Sequence, residues 1–379
     1  MYLTLHISGR VCCLASPLLY PPPPRGEEER NSGPLIFLDI PIRIWTLLFH
    51  GGANIIVIRS EIADSKGRDM SKVPCGPRKI VVVGSSNTDM VIRTPALPRP
   101  GETVLGGEFF MAPGGKGANQ AVAAARAGGE VHLVARVGDD VFGRQSLDGF
   151  LKDGIHVEHV FLDQAAPSGV ALIIVGPDGE NSIAVASGAN SRLSAGDIAK
   201  ARPLIASADI VVTQLESPLE TVREAVEITA SAGVSVLLNP APARPLGEDI
   251  LRRVAYLTPN ETEAEILTGM PLIKKSDLAK AADIILAKGV KAVLITLGAK
   301  GVYVATAEKK EIVPAYKVIP IDTTAAGDAF NGSLAVALAE GRPLSQAARF
   351  ANAAAALSTT RMGAQPSLAN RAEIEKLLA

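Results

Sequence analysis

Strand-like and helix-like hydrophobic patterns alternate along most of this chain. Short aliphatic runs at residues 79–84, 210–214 and 292–296 predict strands that are buried on both faces. Segments with apolar residues at helical spacing lie between them, for example residues 221–230 and 277–288. This alternation is typical of a mostly parallel sheet with helices on both faces. We therefore predict an α/β, doubly wound fold.

A second, smaller sheet is predicted from a hairpin pattern. Residues 169–175 and 181–185 are strand-like, and Pro-Asp-Gly at 177–179 forms the turn between them. Residues near 92 and at 103–110 are expected to join this sheet. We predict a small β-sheet lid, at about residues 90–113 and 168–187, over a polar pocket.

Residues 1–78 differ in pattern from residues 79–379, which we predict to form the main domain. They contain prolines at 21–24, a charged run at 25–30 and apolar patches without a clear period. Such a segment favours extended, solvated structure, so we predict an N-terminal extension that is either disordered or targeting. The first two dozen residues lack acids, as transit peptides do, but the acidic run does not fit one. We expect a cytoplasmic protein, with a plastid as the alternative.

Composition narrows the core and the partners. Hydrophobic residues make up 47% of the 379 residues but aromatic residues only 4%, so the core must be mainly aliphatic. The formal net charge is −1 and no long basic stripe occurs, which argues against nucleic acid or an anionic membrane as principal partner. No apolar run reaches the roughly 18–20 residues that span a bilayer. The three cysteines, Cys12, Cys13 and Cys75, lie outside the main domain.

Polar residues follow several predicted strands. They are Asn87, Glu216, Asn239, Asn260 and Thr296. Ligands of doubly wound folds bind beyond the carboxyl ends of the strands, so we expect these side chains to meet in one crevice. Asn87 and Asp89 alternate along an extended segment and therefore face the same side, where they would grip vicinal hydroxyls. The alternative is a polar loop without a ligand.

A glycine-rich segment, Gly-Gly-Lys-Gly-Ala-Asn-Gln at 114–120, opens a helix that continues to about Ala127. Glycines here indicate a close approach of the backbone to a ligand or a neighbouring element. The segment is not a Walker A loop, and no Gly-x-Gly-x-x-Gly follows the first strand, so a dehydrogenase loses its main support. We expect a neutral polyol here, with Asn119 one turn inside the helix and aimed back towards the glycines.

The segment at 322–332, Asp-Thr-Thr-Ala-Ala-Gly-Asp-Ala-Phe-Asn-Gly, begins as a turn of small residues and becomes a helix. The unpaired N–H groups of a helix N-terminus, together with its dipole, make an anion hole. A carboxylate at Asp328 is unfavourable beside phosphate unless it takes a proton from an attacking hydroxyl. The alternative is that Asp328 only caps the helix.

Two further segments suggest nucleotide chemistry. Asn260 and Glu263 are one helical turn apart, and an amide and a carboxylate near phosphate suit Mg²⁺ bound through water. Glu263 is otherwise a solvated helix residue, and Glu216 a salt-bridge partner. The alanine-rich helix at 347–359 leaves room for an adenine ring, with Asn352 as a candidate polar contact.

From about residue 79 onward, the chain resembles the ribokinase-like family of carbohydrate and nucleoside kinases. The resemblance rests on five segments in this order: 114–120, Gln-Leu-Glu-Ser-Pro at 214–218, Asn-Pro-Ala-Pro-Ala at 239–243, Pro-Asn-Glu-Thr-Glu at 259–263, and 322–328. It implies phosphorylation of D-ribose at O5 by ATP, with Asp328 as base and the N–H groups of Ala325, Ala326 and Gly327 as anion hole. The family usually has glycine where Ala325 stands.

The resemblance also implies binding residues. Ribose contacts fall on Asn87, Asp89, Gly115, Lys116, Asn119, Glu216 and Asp328. ATP contacts fall on Asn260, Thr296, Leu297, Gly298, Ala299, Lys300, Gly301, Gly327 and Asn352. Glu263 matches the Mg²⁺-associated acid, and a K⁺ loop falls on Asp322, Thr324, Ser358, Arg361, Gly363 and Ser367.

The family analogy further implies a homodimer formed through the lid. Two rival functions stay open: a kinase for another small sugar or a nucleoside, such as deoxyribose or pseudouridine, and a non-catalytic sugar sensor. The intact Asp328 segment argues against the sensor.

Overall fold

The computed structural model describes residues 76–178 and 180–379, together with four short strands nearer the N-terminus. The chain divides into two compact units, Met1–Cys75 and Gly76–Ala379. Within the first unit, the four strands form two antiparallel pairs: Leu5–Ile7 with Arg10–Cys12, and Arg43–Ile44 with Ser60–Glu61. The prediction of a disordered or targeting extension falls almost entirely outside the described residues. The second unit carries every segment for which a site is predicted.

The strands of this unit form one large and one small sheet. In chain order they are β1 Lys79–Val83, β2 Asn87–Arg93, β3 Glu108–Gly114, β4 Glu130–Gly138, β5 His156–Asp163, β6 Gly169–Val175, β7 Asn181–Ala186, β8 Ile210–Thr213, β9 Ser235–Leu238, β10 Tyr256–Leu257, β11 Ala292–Thr296, β12 Val302–Thr306 and β13 Lys310–Val313. The large sheet has the order β13-β12-β11-β10-β9-β8-β1-β4-β5. Its strands from β11 to β5 pair in parallel, and the pairs β11–β12 and β12–β13 are antiparallel, so β12 alone runs in the opposite direction. The predicted doubly wound, mostly parallel sheet is confirmed.

Helices cover both faces of the large sheet. They are α1 Lys116–Arg126, α2 Val141–Lys152, α3 Ala195–Lys200, α4 Arg202–Ala206, α5 Leu219–Ser231, α6 Glu248–Leu251, α7 Glu261–Thr268, α8 Lys275–Ala287, α9 Ala326–Ala339, α10 Leu344–Ser358 and α11 Arg371–Leu378. Among the described residues, none of these helices is both long enough and apolar enough to cross a bilayer.

Strand β1 shows why the aliphatic runs form central strands. Ile80 and Val82 pack with α1, α9 and α10 on one face of the sheet, whereas Val81 and Val83 pack with α3, α4 and α5 on the other. Because side chains alternate along a strand, a strand that is buried on both faces needs consecutive apolar residues. All four side chains are fully buried.

The small sheet has the order β7-β6-β2-β3, and the predicted lid segments contribute to it. Its boundaries differ from the prediction in two places. Strand β2 already begins at Asn87, directly after β1, and therefore carries Asn87 and Asp89 from the large sheet into the lid. Strand β3 begins only at Glu108, since the preceding residues 98–107 are rich in proline and glycine and form no strand.

Helices α1 and α9 approach each other closely at Gly332. A Cβ atom on this residue would lie 2.4 Å from the Gln120 carbonyl oxygen and 2.7 Å from the Ala123 Cβ. Alanines line both helices here, since Ala121, Ala124 and Ala335 are completely buried. Small residues thus bring the N-terminal turn of α1 against α9, which positions the polar groups in the first turns of both helices.

We predict that Gly332→Ala lowers the free energy of unfolding by about 1–2 kcal/mol, because overpacking against a backbone carbonyl exceeds the gain in helix propensity. Urea unfolding of the full chain measures the change. Gly149→Ala in α2 is the matched control, since a Cβ there would meet nothing within 4 Å. The control should leave stability unchanged or raise it slightly, and equal effects of the two substitutions would contradict the packing argument.

Candidate active site

Asp328 lies in the first turn of α9, which begins with an unusual backbone conformation. Ala325 caps the helix with φ 59°, and it is the one non-glycine residue with a left-handed backbone in the described part of the chain. Glycine adopts this conformation readily, whereas alanine does so at a cost of roughly 1–2 kcal/mol. This constraint explains why glycine is usual at this position in the family that the sequence resembles.

The N–H groups at the start of α9 are only partly available for an anion. Ala326 N–H donates to the Thr323 carbonyl at 3.2 Å, so it is not the unpaired donor that the sequence suggested. Within the described residues, the N–H groups of Ala325 and Gly327 have no hydrogen-bond partner. Gly327 borders open space, since a Cβ there would meet nothing within 4 Å. Two backbone donors at the positive end of the helix dipole are therefore available to an anion beside Asp328.

Two amide side chains from α1 hold the Asp328 carboxylate. Asn119 Nδ2 donates to Oδ2 at 3.0 Å, and Gln120 Nε2 donates to Oδ1 at 2.9 Å. Asp328 is only 6% exposed. Burial raises the pKa of Asp328, while Lys116 and the two amides oppose the shift. A buried carboxyl with a raised pKa, fixed in position by neutral donors, is suited to accept a proton from a substrate.

Further buried amide side chains are hydrogen-bonded to Gln120 and fix its orientation. Gln214 Nε2 donates to Gln120 Oε1 at 2.6 Å, which orients the Gln120 amide. Gln120 Nε2 also donates to Asn239 Oδ1 at 3.1 Å, and Asn239 Nδ2 donates to the Thr258 carbonyl at 3.2 Å. The buried Asn119 Oδ1 has no hydrogen-bond partner within the described residues. The network thus spans α1, α9 and the ends of β8, β9 and β10.

Lys116 and several acids meet at the start of α1. Burial would lower the pKa of Lys116, but the negative charges of Asp328, Glu216, Glu263 and Asp89 raise it above its ordinary value. Glu216 Oε2 accepts hydrogen bonds from Ser85 Oγ at 2.5 Å and from the Lys116 backbone N–H at 3.0 Å. Glu216 is therefore held by a hydroxyl and a helix N-terminus, and the predicted alternative of a simple salt bridge does not describe it.

Asn87 and Asp89 lie two residues apart on β2, as the alternation predicts. The pKa of Asp89 is raised to about 6 by burial and by the charges of Glu216 and Asp328, with Lys116 opposing. Asn87 Oδ1 accepts from Asn190 Nδ2 at 2.8 Å, which leaves the Asn87 amide hydrogens as the donors for a ligand. Gly115, at φ 87°, lets α1 begin against β2, since a Cβ there would lie 2.7 Å from the backbone nitrogen of Asn87.

A cavity of about 570 Å³ opens on the other side of the α9 N-terminus. A volume of this order accommodates a nucleotide-sized ligand. Six of the residues predicted to contact ATP line it: Thr296, Gly298, Ala299, Gly301, Gly327 and Asn352. Its walls also include Tyr316, Phe330 and Ala356, which the sequence did not single out. The cavity and Asp328 therefore share the first turn of α9.

Three of the predicted ATP contacts do not line this cavity. Leu297 and Lys300 instead line a separate cavity of about 410 Å³ together with residues of α8. Residues 298–300 form a single 3-10 turn, and Leu297 and Lys300 lie on a different side of it from Gly298 and Ala299. Asn260 caps α7 and forms an isolated parallel bridge with Thr296, which places it beside the cavity rather than in its wall.

Asn352 lines the cavity but has a structural task as well. Its Nδ2 donates to the carbonyls of Val313 and Pro314, both at 3.0 Å. The Asn352 amide hydrogens therefore brace the segment after β13 against α10, and only its carbonyl oxygen remains for a ligand.

Glu263 is not the solvated helix residue of the alternative interpretation, since it is 8% exposed. It forms a capping box with Asn260: Asn260 N–H donates to Glu263 Oε2 at 2.8 Å, and Glu263 N–H donates to Asn260 Oδ1 at 2.7 Å. Burial raises the pKa of Glu263. Its second carboxylate oxygen accepts no hydrogen bond within the described residues, so the donor set fits a cation bound through water.

Two of the residues predicted for the cation loop, Thr324 and Gly363, are hydrogen-bonded to Asp322. Thr324 donates to Asp322 Oδ1 through its N–H at 2.9 Å and its Oγ1 at 2.6 Å, and Gly363 N–H donates to Oδ2 at 2.8 Å. Burial alone would raise the pKa of Asp322, but these hydrogen bonds lower it. The pKa of Asp322 therefore lies below its ordinary value. Ser358 and Ser367 donate to nearby carbonyls of their own turns, and the Arg361 side chain pairs with Glu373. Asp322 thus ties the start of the anion-hole segment to the loop at 361–363.

The sequence does not reveal most of the amide network. Gln120 belongs to the glycine-rich segment, but the sequence assigns it no role, and Gln214, Asn190 and Ser85 are not among the predicted site residues. A signal exists in α1, because Asn119 and Gln120 interrupt an otherwise alanine- and valine-rich helix and both are buried. The remaining partners are visible only once distant strands are brought together.

Comparisons with known proteins agree with this geometry. The family model for pfkB family carbohydrate kinases matches residues 77–371. A ribokinase of Haemophilus influenzae is 44% identical over 301 residues, covering 79% of this chain and 98% of the relative. A deoxyribokinase of Salmonella typhi is 39% identical over 289 residues, covering 76% and 94%. The structure of Arabidopsis thaliana ribokinase complexed with ribose and ATP is 33% identical with a TM-score of 0.74, covering 80% of this chain and 99% of that one.

These matches cover nearly the whole second unit and nearly the whole length of each relative, and they confirm the resemblance drawn from the five sequence segments. The chain belongs to the pfkB family of carbohydrate kinases.

Proposed function

We propose that this chain transfers the γ-phosphoryl group of ATP to the 5-hydroxyl of D-ribose. One observation carries the proposal: the buried Asp328 carboxylate, clamped by Asn119 and Gln120, lies at the turn of α9 that also borders the 570 Å³ cavity. A sugar hydroxyl and a nucleotide phosphate would meet at this turn. The similarity to ribokinases over almost their full length supports ribose as the acceptor.

In the proposed step, Asp328 accepts the proton of the ribose 5-hydroxyl while the hydroxyl oxygen forms a bond to the γ-phosphorus of ATP. The bond from that phosphorus to the bridging oxygen breaks, and ADP leaves. The N–H groups of Ala325 and Gly327 are placed to stabilise the charge on the phosphoryl oxygens. Because Asp328 is held by neutral amides rather than by a salt bridge, it stays in place after it takes up the proton.

Ribose recognition is assigned to the polar groups on the lid side of Asp328. Asp89 and Glu216 supply carboxylate acceptors for hydroxyls, while Asn87 and Lys116 supply donors. Gly115 and Asn119 border the same space. Deoxyribose is the second candidate acceptor, because the deoxyribokinase of Salmonella typhi is also similar over most of its length. Asp89, with two acceptor oxygens, is the residue expected to distinguish a vicinal diol from a deoxy sugar.

We assign ATP to the cavity of about 570 Å³, with its phosphates toward Gly327. Mg²⁺ when bound would neutralise the charge of the phosphate oxygens, and Glu263 would hold it through water. Lys116 adds a fixed positive charge near the acids. Leu297 and Lys300 line the separate cavity of about 410 Å³ and lie outside the proposed ATP site.

The loop formed by Asp322, Thr324 and Gly363 is proposed to bind K⁺. Carbonyl and carboxylate oxygens are the ligands that such a cation prefers. An ion there would lie next to the anion-hole segment without touching the substrate, and would order the backbone at 323–327.

A homodimer through the lid is also proposed. Apolar side chains lie on the face of the lid opposite Asp89. The strand register pairs Ile92 with Phe109. It also pairs Met90 with Leu172 on one side and with Met111 on the other. The exposed fractions of Phe109, Met111 and Leu172 are 61%, 52% and 53%. A contiguous exposed apolar patch of this kind is typical of a protein–protein contact, and a second copy of the lid would cover it.

We predict that Asp328→Asn lowers kcat for ribose phosphorylation by roughly 10²–10⁴-fold, because the general base is lost. Ribose binding, measured calorimetrically without ATP, should be retained. The assay follows ADP release with ribose and, separately, with deoxyribose. Asp148→Asn, an exposed acid in α2, is the control and should have the wild-type rate. A near-normal rate in Asp328→Asn would contradict the base assignment, and ADP release with deoxyribose but not ribose would overturn the substrate.

Ribose affinity should depend on pH through Asp89. The pKa of Asp89 is about 6, so the carboxylate is an acceptor above this pH and is protonated below it. The dissociation constant of ribose without ATP should therefore rise as pH falls, by roughly tenfold per unit below about pH 6. Calorimetry at several pH values measures this dependence. Asp89→Asn should bind weakly at all pH values, and an unchanged pH dependence in that variant would assign the titration to another group.

We predict that replacing K⁺ by Na⁺ lowers the rate of ADP release several-fold, because the anion-hole segment loses an ordered neighbour. Asp322→Asn should be slow in both salts, since one ligand and the contact to Gly363 are weakened. Ribose binding without ATP serves as the control and should not change with the cation. Equal wild-type rates in the two salts would rule out the cation loop.

A further inference from the structure

Two histidines face each other at the edge of the large sheet, far in sequence from the kinase residues. Strand β5 is the last strand of the sheet and pairs in parallel with β4. The register places His132 of β4 directly opposite His156 of β5. Glu130 lies two residues before His132 and therefore on the same face of β4. The three side chains thus form one cluster on two adjacent strands.

The cluster is compact. His132 Nε2 lies 3.3 Å from Glu130 Oε1, and the rings of His132 and His156 are stacked with centroids 4.2 Å apart and planes 13° apart. One nitrogen of each histidine and one Glu130 oxygen all lie within 4.8 Å of one another. A second carboxylate is adjacent, since His156 Nδ1 lies 3.6 Å from Glu158 Oε1.

The kinase reaction leaves this cluster without a task. Glu130 and His156 begin their strands, so they lie at the amino ends of β4 and β5, whereas the crevice of a doubly wound fold opens at the carboxyl ends. The cluster is accessible, because the side chains of Glu130 and His156 are 40% and 44% exposed and that of His132 is 16% exposed. Lys79, the neighbouring cation on β1, donates to Ser207 Oγ.

We propose that Glu130, His132 and His156 bind a divalent transition cation of the Zn²⁺ or Cu²⁺ class, with Glu158 beside it as a further oxygen donor. Imidazole nitrogens suit these ions, and a carboxylate completes donor sets that Zn²⁺ commonly uses. The 3.3 Å between His132 Nε2 and Glu130 Oε1 is about the separation of two ligand atoms around a tetrahedral zinc with bonds of roughly 2.0–2.1 Å. Mg²⁺, which prefers six oxygen ligands, does not fit this set.

Binding requires one adjustment. The lone pair of an imidazole nitrogen lies in the plane of the ring, so two stacked rings cannot both point at one ion. The ring of His156 must turn about its terminal torsion, a broad and weakly restricted one. His156 is the more exposed of the two rings and lies on the edge strand, whereas His132 is held by Glu130. The ion would then link the edge strand β5 to β4.

Such a link has a measurable effect on stability. An ion that binds the folded chain and not the unfolded chain raises the free energy of unfolding by RT ln(1 + [L]/Kd). The ion would join β5 to its only neighbour in the sheet, within the described residues, so its effect should appear as a zinc-dependent rise in the unfolding temperature.

The test uses the full chain with Cys12, Cys13 and Cys75 changed to serine, because thiolates also bind zinc. Zinc is titrated into this chain, His156→Gln and His132→Gln, and bound metal and unfolding temperature are measured. The cysteine-free chain should bind one Zn²⁺, and more than about tenfold more tightly than either histidine variant. Losing a residue that only supports a metal ligand already costs about that much affinity, so losing a ligand should cost more. Zinc should raise the unfolding temperature of the cysteine-free chain and leave that of His156→Gln unchanged.

His159→Gln is the matched control, because His159 lies on the same strand outside the cluster, with its ring edge against Phe161. It should bind zinc like the cysteine-free chain. Cu²⁺ provides a second measurement: electron paramagnetic resonance should show nitrogen ligands that disappear in His156→Gln, and excess Mg²⁺ should not displace the ion. His156→Gln should phosphorylate ribose at the normal rate without zinc, which separates this site from the kinase activity.

Equal zinc affinity and an equal thermal shift in His156→Gln would overturn the proposal. The same conclusion would follow if His159→Gln lost zinc as completely as His156→Gln, because the loss would then not be specific to the cluster. His156→Gln decides the outcome even if His132→Gln, which removes a mostly buried ring, does not fold.

Discussion

The close packing of α1 against α9 is the constraint on which the active site depends. It brings Asn119 and Gln120, at the start of one helix, within hydrogen-bond distance of Asp328, at the start of the other. Gly332 makes the approach feasible because its missing side chain leaves room for the Gln120 carbonyl. Two helix N-termini therefore converge on one buried carboxylate, and the positive ends of their dipoles act at the same place.

The crevice combines polar groups from the large sheet and its helices with polar groups from the lid. The large sheet and the amide network hold Asp328, Gln214 and Asn239, all buried. The lid supplies Asn87 and Asp89 on β2, and only three residues separate the start of β2 from the end of β1 in the core. Burial and the charges of Glu216 and Asp328 raise the pKa of Asp89, whereas the surrounding acids raise the pKa of Lys116 against the effect of burial. Bound hydroxyls would be fixed in a strongly polarised pocket.

Several predictions from the sequence agree with the structure in detail. The aliphatic run at 292–296 forms β11 without a shift, and the hairpin at 169–185 forms β6 and β7. Others were wrong for local reasons. Residues 103–107 form no strand because glycine and an adjacent proline-rich turn interrupt the pairing, and β5 was missed because its polar histidines and glutamate obscure the alternation. Leu297 and Lys300, which the resemblance matches to ATP contacts, line a different cavity from Thr296 and Gly298.

The sequence by itself determined the fold class, most of the alternation of strands and helices, and the family, because buried strands and amphipathic helices have characteristic periods and the five family segments are local. It also identified Asp328, since a carboxylate in the first turn of a small-residue helix is visible in eleven consecutive residues. Only the tertiary structure decided what holds that carboxylate. Asn119 and Gln120 are 209 and 208 residues away from Asp328, and no local pattern reports contacts between such distant segments. The same holds for the stacked His132 and His156, whose meeting depends on the register of two neighbouring strands.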